Sequence, residues 1–281
     1  MNKPRPWLYW AVLSVLCLLG VSCCKQQQKD PFRYKVAIIG NPSNPDIRYD
    51  ESQMQALKNL GYNTLQLNIA WGARPADEPL NLEDILYVDG IGSREKADQR
   101  LQAIKERARI AKKWGFRTLF HFGAPRVDSL YKILTPDLID IATEKNSIQK
   151  KEIVDKYVSL LKRLKQEVPE LDDIEVYTFD QDAWVANEFG NGPTDRDIPL
   201  HERIPAFLQA LTGTWAEVSP DGMVWWEPWE ISAGQIYACI PSLPTRNFGM
   251  FLHSNIAEVQ LSRPVDVWFK NTVQLCAERG I

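Results

Sequence analysis

Several common functional signatures are absent from this chain of 281 residues. It has no glycine-rich phosphate loop, no dinucleotide-binding fingerprint and no nucleophile elbow, which argues against the enzyme classes that depend on them. Of its five cysteines only Cys239 and Cys276 lie beyond residue 24, and their spacing is not that of a metal site. A formal charge of −3 offers no general basic surface. We therefore expect no cofactor, no resident metal and no nucleic-acid partner.

The N-terminal residues have the composition of a targeting segment. Lys3 and Arg5 precede an uncharged apolar run over residues 7–21, which is shorter than the ~20 residues of a membrane-spanning helix. Small residues and a cysteine pair follow, and the next residues are polar. We therefore predict a cleaved signal over residues 1–23 and a polar tether over 24–33.

The cysteine at the end of this segment resembles the lipidation site of bacterial lipoprotein signals. The resemblance implies a lipid on Cys23, which follows the small residue Ser22, although Gly20 stands where that pattern prefers an apolar residue. Cys24 is the alternative, and a plain secretory signal is another. The resemblance implies an exported protein held by lipid in the bacterial cell envelope.

Residues 34–281 alternate short apolar runs with longer helix-like segments, which is typical of βα units around a parallel sheet. Two turns share a pattern: residues 60–65 and 114–119 both contain Gly, an aromatic residue, a polar residue, Thr and Leu in that order. Each glycine is suited to the left-handed residue that ends a helix. We predict strands at 34–40, 64–70, 118–122, 174–179, 223–226 and 249–254, with helices at about 50–61, 93–114, 147–166, 204–215 and 264–279.

The predicted fold class is α/β, a (β/α) barrel. Long loops follow the second, third and fourth strands, at 71–92, 123–146 and 180–200, and barrels build their sites from such loops. A doubly wound sheet is the alternative. The pattern of the helix-ending turn begins a third time at residues 279–281, so we expect a barrel truncated after about six βα units. An incomplete barrel has exposed sheet edges, which favour aggregation.

The segment from Met223 to Glu230 joins an apolar strand to three tryptophans and two carboxylates. Aromatic rings stack on the C–H faces of sugars, and carboxyl groups move protons at glycosidic oxygens. Other predicted strand ends are similar in composition. The candidate catalytic residues are Asp180, Asp182, Glu188, Glu227 and Glu258. The candidate substrate-binding residues are Trp71, His121, Trp184, Trp226, Trp229, Glu230, His253 and Asn255.

The motif Asn187-Glu188-Phe189-Gly190, after the fourth predicted strand, resembles the Asn-Glu pair of the retaining clan of TIM-barrel glycoside hydrolases. The resemblance implies that Glu188 is the acid/base and that the substrate is an oligosaccharide or polysaccharide. Two features differ from that clan. Asn187 lies eight residues after Phe179 rather than directly after the strand, and the clan's nucleophile follows a seventh strand. The resemblance then implies an inactive domain, unless Glu227 or Glu258 replaces the nucleophile.

Two other functions remain open. A glycan-binding lipoprotein could keep the tryptophans without the chemistry. A metal-dependent barrel of the sugar-isomerase type could use Asp182, Glu227, His253 and Glu258 as ligands. Each candidate residue could also be structural, because tryptophans are common in cores and histidines in apolar strands are often hydrogen-bonded core residues. The leading hypothesis is a carbohydrate-active hydrolase.

Overall fold

The computed structural model describes residues 32–39, 48–69, 78–126, 146–177, 198–228, 231–253 and 265–281. The chain divides into two compact units, Met1–Tyr34 and Lys35–Ile281. None of the helices in the described ranges is long and apolar enough to span a bilayer, and the predicted signal and Cys23 lie outside those ranges.

The described residues of the second unit alternate strands and helices. In chain order its elements are β1 (Val36–Ile38), α1 (Glu51–Asn59), β2 (Thr64–Gln66), a 3₁₀ turn (Leu82–Asp84), α2 (Arg94–Lys113), β3 (Arg117–Gly123), α3 (Lys151–Glu167), β4 (Asp173–Tyr177), α4 (Leu200–Val218), β5 (Val224–Glu227), α5 (Ala233–Cys239), a second 3₁₀ turn (Ile240–Ser242), β6 (Phe248–Met250) and α6 (Val267–Arg279).

The six strands form one parallel sheet in which each strand pairs with the next along the chain. The predicted fold class and the six strands in sequence order are confirmed. Three hydrogen-bonded strands, β1, β2 and β6, have only three residues each, where seven, seven and six were expected, whereas β3 has seven where five were expected. Apolar residues therefore continue beyond the ladder, because burial and strand pairing do not end together.

The helix boundaries follow their capping residues. Asp50 accepts a hydrogen bond from the backbone N–H of Gln53 at 2.9 Å and Ser93 accepts one from Lys96 at 3.5 Å, so α1 and α2 begin where the sequence predicts. The helix predicted from Ser147 begins later, at Lys151. The hydroxyl of Ser147 instead accepts from Gln149, which closes a turn before the helix.

The repeated glycine pattern forms the same turn twice. Gly61 and Gly115 have φ values of +83° and +69°, the left-handed conformation that ends α1 and α2 and directs the chain into β2 and β3. Lys58 joins the two turns, because its Nζ donates to the carbonyl of Gly115 at 3.0 Å and lies 4.0 Å from the ring centre of Phe116. The repeated sequence pattern therefore corresponds to a repeated helix-ending turn.

The two faces of the sheet have different chemistry. Phe122, Val176 and Trp226 belong to the apolar core that the sheet forms with the helices. Side chains alternate along a strand, so the residues between them face the other way. His121 lies opposite Glu175 in the register of β3 and β4, and their side chains share that second face. This second face, which we call the inner face, is polar at the C-terminal ends of the strands.

An ion pair between the half-buried Arg117 and the fully buried Asp173 joins three strands at their N-terminal ends. Asp173 accepts from Nη2 and Nε of Arg117 at 2.6 and 3.0 Å, and from the backbone N–H of Met223 at 2.8 Å. The side chain of Asp173 has no exposed surface. Burial raises the pKa of Asp173, although Arg117 and the backbone hydrogen bond oppose that rise. Arg117 and Asp173 are the first residues of β3 and β4, so this ion pair lies at the opposite end of the strands from the C-terminal rim.

Candidate functional site

Two histidines and two glutamates meet on the inner face at the C-terminal ends of β3 to β6. His121 lies in β3, Glu175 in β4 and Glu227 at the end of β5, whereas His253 follows β6. Nε2 of His121 lies 2.7 Å from Oε2 of Glu227, and Nε2 of His253 contacts Oε1 of the same carboxylate. A carboxylate oxygen of Glu175 lies within 4.8 Å of one of Glu227. We call these four residues the His–Glu cluster, and Glu227 is its centre.

The cluster is buried except at one residue. His121 and Glu227 have side chains that are 1% and 3% exposed, and Glu175 is 2% exposed. His253 is 35% exposed. A ligand on the inner face would therefore meet the cluster at His253, with the glutamates behind it.

The two glutamates have opposite protonation preferences. Burial raises the pKa of Glu175 to about 8, and the negative charge of Glu227 adds to that effect. Burial would also raise the pKa of Glu227, but the charge of His121 and the hydrogen bonds from His121 and His253 outweigh it and lower this pKa to about 2. At neutral pH, Glu175 therefore carries a proton that it can donate, and Glu227 is an ionised acceptor.

Neighbouring amides fix the orientation of His121. The Gln66 amide nitrogen donates to the carbonyl of Asn68 at 2.8 Å, which defines which end of that amide carries the protons. The same nitrogen lies 3.4 Å from Nδ1 of His121, so Nδ1 of the neutral ring is the acceptor and Nε2 carries the proton. Asn68 holds the backbone of His121 by accepting from its N–H at 3.0 Å and donating to its carbonyl at 2.7 Å.

The proton on Nε2 of His121 points towards the central carboxylate. Burial lowers the pKa of His121, but the ionised Glu227 carboxylate, and Glu175 in its ionised form, raise this pKa overall. Nε2 is protonated in the neutral tautomer assigned above and in the charged ring alike. It lies 2.7 Å from Oε2 of Glu227, so the imidazole and the carboxylate attract one another directly.

The cluster has the composition of a metal site. One ligand atom each from His121, Glu175 and Glu227 lie within 4.8 Å of one another. A metal on Nε2 of His121 would require a proton on Nδ1, and metal-bound histidines normally donate that proton to an acceptor. Gln66 presents a donor there instead. The described part of the cluster therefore favours shared protons over a cation.

An aromatic side chain lies beside the cluster on the inner face. Trp225 is two residues before Glu227 on the same strand, so alternation places both on one face. The half-buried ring of Trp225 crosses Gly249, where an added Cβ would lie 2.4 Å from Cζ3 of the tryptophan. The same ring packs edge to face against the ring of Phe251, with ring centres 6.0 Å apart. The predicted ligand contact Trp226 is instead fully buried in the core against the helices. The inner-face tryptophan of this pair is Trp225.

Of the predicted site residues, His121, Glu227 and His253 are brought together. Glu175 and Trp225 were not predicted. An acid that alternates with apolar residues inside a buried strand, in register with His121, was the signal for Glu175. The predicted residues that lie outside the described ranges are Trp71, Asp180, Asp182, Trp184, Glu188, Trp229, Glu230, Asn255 and Glu258.

Comparison with known proteins concerns the fold. No family model matches the chain, and no curated protein matches it in sequence. It superposes on an O-GlcNAc hydrolase from Thermobaculum terrenum with a TM-score of 0.54 at 14% identity, covering 89% of this chain and 46% of that one. The fold is a (β/α) barrel type. At this identity the match supports the fold alone, and the chain spans about half the length of that hydrolase.

Two further solved structures match less well. An endo-glycoceramidase II from Rhodococcus sp. has a TM-score of 0.49 at 12% identity, covering 88% of this chain and 62% of that one. A xylose isomerase domain protein from Planctomyces limnophilus has a TM-score of 0.41 at 13% identity, covering 88% and 71%. In this type of fold, sites lie at the C-terminal ends of the strands, which is where the His–Glu cluster lies.

Proposed function

We propose that this chain is a carbohydrate-active, hydrolase-like domain that acts on a glycosidic bond of an extracellular glycan. The observation that carries the proposal is the His–Glu cluster, which puts an ionised carboxylate and a partly exposed imidazole beside Trp225 on the inner face. Such a surface combines a flat apolar ring for a sugar face with groups that exchange protons.

The two clustered glutamates are not a pair of catalytic carboxyls for this reaction. Glycosidases use carboxyls about 5–5.5 Å apart for retention or about 6.5–9.5 Å apart for inversion, whereas carboxylate oxygens of Glu175 and Glu227 lie within 4.8 Å of one another. Glu227 supplies negative charge behind the site. The proposed acid is therefore Glu188, with Asp180, Asp182 and Glu258 as further candidates for reacting carboxyls.

The test is hydrolysis and binding of a panel of aryl glycosides and oligosaccharides. Glu188→Gln should lower turnover by about 10²–10⁴-fold, the usual value of general acid assistance, and leave binding nearly intact. Glu202→Gln, on the exposed side of α4, is the matched control and should change neither. Undiminished turnover in Glu188→Gln would remove this residue from the mechanism. Binding without hydrolysis would favour a glycan-binding function, and the absence of both would overturn the proposal.

The proposal includes export and a lipid anchor at Cys23, with Cys24 as the alternative residue. It is supported by the signal-like residues 1–23 and the polar tether behind them. Expression in a bacterium followed by detergent partitioning and mass spectrometry of the N-terminal peptide tests it. A soluble protein with an unmodified N-terminus would contradict it.

A further inference from the structure

The contact between His253 and Glu227 defines how the cluster meets a ligand. Nε2 of His253 lies against Oε1 of Glu227, while its ring is the exposed part of the cluster. An ionised carboxylate accepts hydrogen bonds only, so the proton of a neutral His253 ring belongs on Nε2. The other ring nitrogen, Nδ1, then carries a lone pair.

We propose that His253 is the proton-accepting residue of this site and that Glu227 is the positioning residue that holds its ring. The assignment of His253 to a step in catalysis rests on the proposed function. A carboxylate that fixes the tautomer of an imidazole and stabilises its charged form is a recurring arrangement in hydrolases.

The rest of the cluster makes Glu227 a suitable partner for this role. On the buried side, Nε2 of His121 lies 2.7 Å from the Glu227 carboxylate, and a carboxyl oxygen of Glu175 lies within 4.8 Å of it. Gln66 and Asn68 in turn hold His121. The carboxylate is therefore held in place before any ligand binds, and little reorganisation is needed when His253 becomes charged.

The step that follows is balanced in atoms and protons. A water molecule loses a proton to Nδ1 of His253 as its oxygen bonds to the anomeric carbon. The glycosidic C–O bond breaks, and the leaving oxygen takes a proton from a carboxylic acid. The imidazolium remains beside Glu227 and then releases its proton to solvent, from which the acid is reprotonated.

The tautomer of His253 can be measured directly. The chain has three histidines, so long-range ¹H–¹⁵N spectra contain three ring systems that His201→Asn and His253→Asn would assign. In the wild-type protein above neutral pH, His253 should show a proton on Nε2 alone, whereas the exposed His201 should show a mixture and serves as the internal reference. A wild-type ring with its proton on Nδ1, or a mixture like that of His201, would overturn the proposal.

A variant of Glu227 then tests the cause. In Glu227→Gln one amide oxygen faces two imidazole donors, so His121 and His253 cannot both keep their acceptor. The single tautomer should therefore be lost from at least one of the two rings. Glu175→Gln keeps the Glu227 carboxylate and should leave the tautomer of His253 unchanged. Unchanged spectra in Glu227→Gln would refute the positioning role. The wild-type spectrum decides the tautomer even if this variant does not fold.

Reactivity separates this inference from the proposed function. Diethyl pyrocarbonate modifies an unprotonated imidazole nitrogen, so His253 should react faster than His201 in the wild-type protein, and the excess should disappear in Glu227→Gln. Equal rates in the wild-type protein would count against a basic Nδ1 whether or not a glycan is cleaved. If reactivity and tautomer are as expected and no glycoside is hydrolysed, the basic site stands and the glycosidase assignment fails. With a substrate found, His253→Gln that keeps full turnover would exclude His253 from the reaction.

Discussion

Removing the guanidinium group of Arg117 should destabilise the domain strongly. In Arg117→Met the carboxylate of Asp173 keeps the hydrogen bond from Met223 but loses two from Arg117, at 2.6 and 3.0 Å. The Arg117 side chain is 32% exposed, but the Asp173 carboxylate that it leaves behind is fully buried, and a buried charge left without its partner costs about 3–5 kcal/mol. At roughly 2–4 °C per kcal/mol for a domain of this size, the melting temperature should fall by roughly 6–20 °C.

The pH dependence of that loss has a definite sign. Burial already raises the pKa of Asp173 in the folded protein, and removing the positive charge of Arg117 should raise it further. A carboxyl with a raised pKa in the folded state favours folding when protonated, so its stabilising effect is present at low pH and is lost as pH rises. The difference between wild type and Arg117→Met should therefore shrink as pH falls from 7 towards 3.8, the ordinary pKa of an aspartate side chain.

Thermal and urea unfolding followed by circular dichroism measure both effects. The double variant Arg117→Met with Asp173→Asn contains no buried charge and should be more stable than Arg117→Met alone. Arg109→Met is the control, because its pair with Glu106 is on the surface and should matter little. A single variant as stable as wild type, or a double variant that loses more than Arg117→Met alone, would refute the reasoning.

Three further outcomes are expected. Gly249→Ala should displace the ring of Trp225, because the new Cβ would lie 2.4 Å from Cζ3 of that ring, and calorimetry should then show weaker glycan binding. The control Gly213→Ala, whose Cβ has nothing within 4 Å, should leave glycan binding unchanged. Trp226→Ala should cost about 3–5 kcal/mol of unfolding free energy, since a fully buried core ring is removed, whereas Trp225→Ala should affect ligand binding more than folding. Zinc, manganese or a chelator should leave the melting temperature unchanged, and a rise of several degrees with metal would contradict the expectation that the protein holds no metal.

The sheet was predictable because its strands are buried. Runs such as Val36 to Ile39 stand out against the helical segments, and the glycines at 61 and 115 mark where helices end. The short helix α5 was missed, although Ser232 and Gln235 form a capping box at its start. It has only seven residues, and so short a segment shows too little periodicity to predict a helix.

The site was predictable only at its rim. His121, Glu227 and His253 were selected because polar residues near strand ends indicate the C-terminal face of such a sheet. Glu175 lies inside its strand, and its burial is tolerated because burial raises its pKa to about 8 and so leaves the side chain uncharged at neutral pH. Trp226 was selected for its residue type, but alternation along β5 assigns the inner face to Trp225. Period and register carry information that residue type alone does not.

The division between the two faces of the sheet has a consequence for how this protein can change over generations. Glu175 and Val176 are neighbours in the chain, yet one faces the polar inner side and the other the packed helices. Substitutions on the polar side can alter which molecules are recognised without loosening the core, because the apolar packing lies behind the strands. Selection can therefore produce new specificity by changing the inner-face residues near the strand ends, which are every second residue. The core-facing residues between them are constrained by folding.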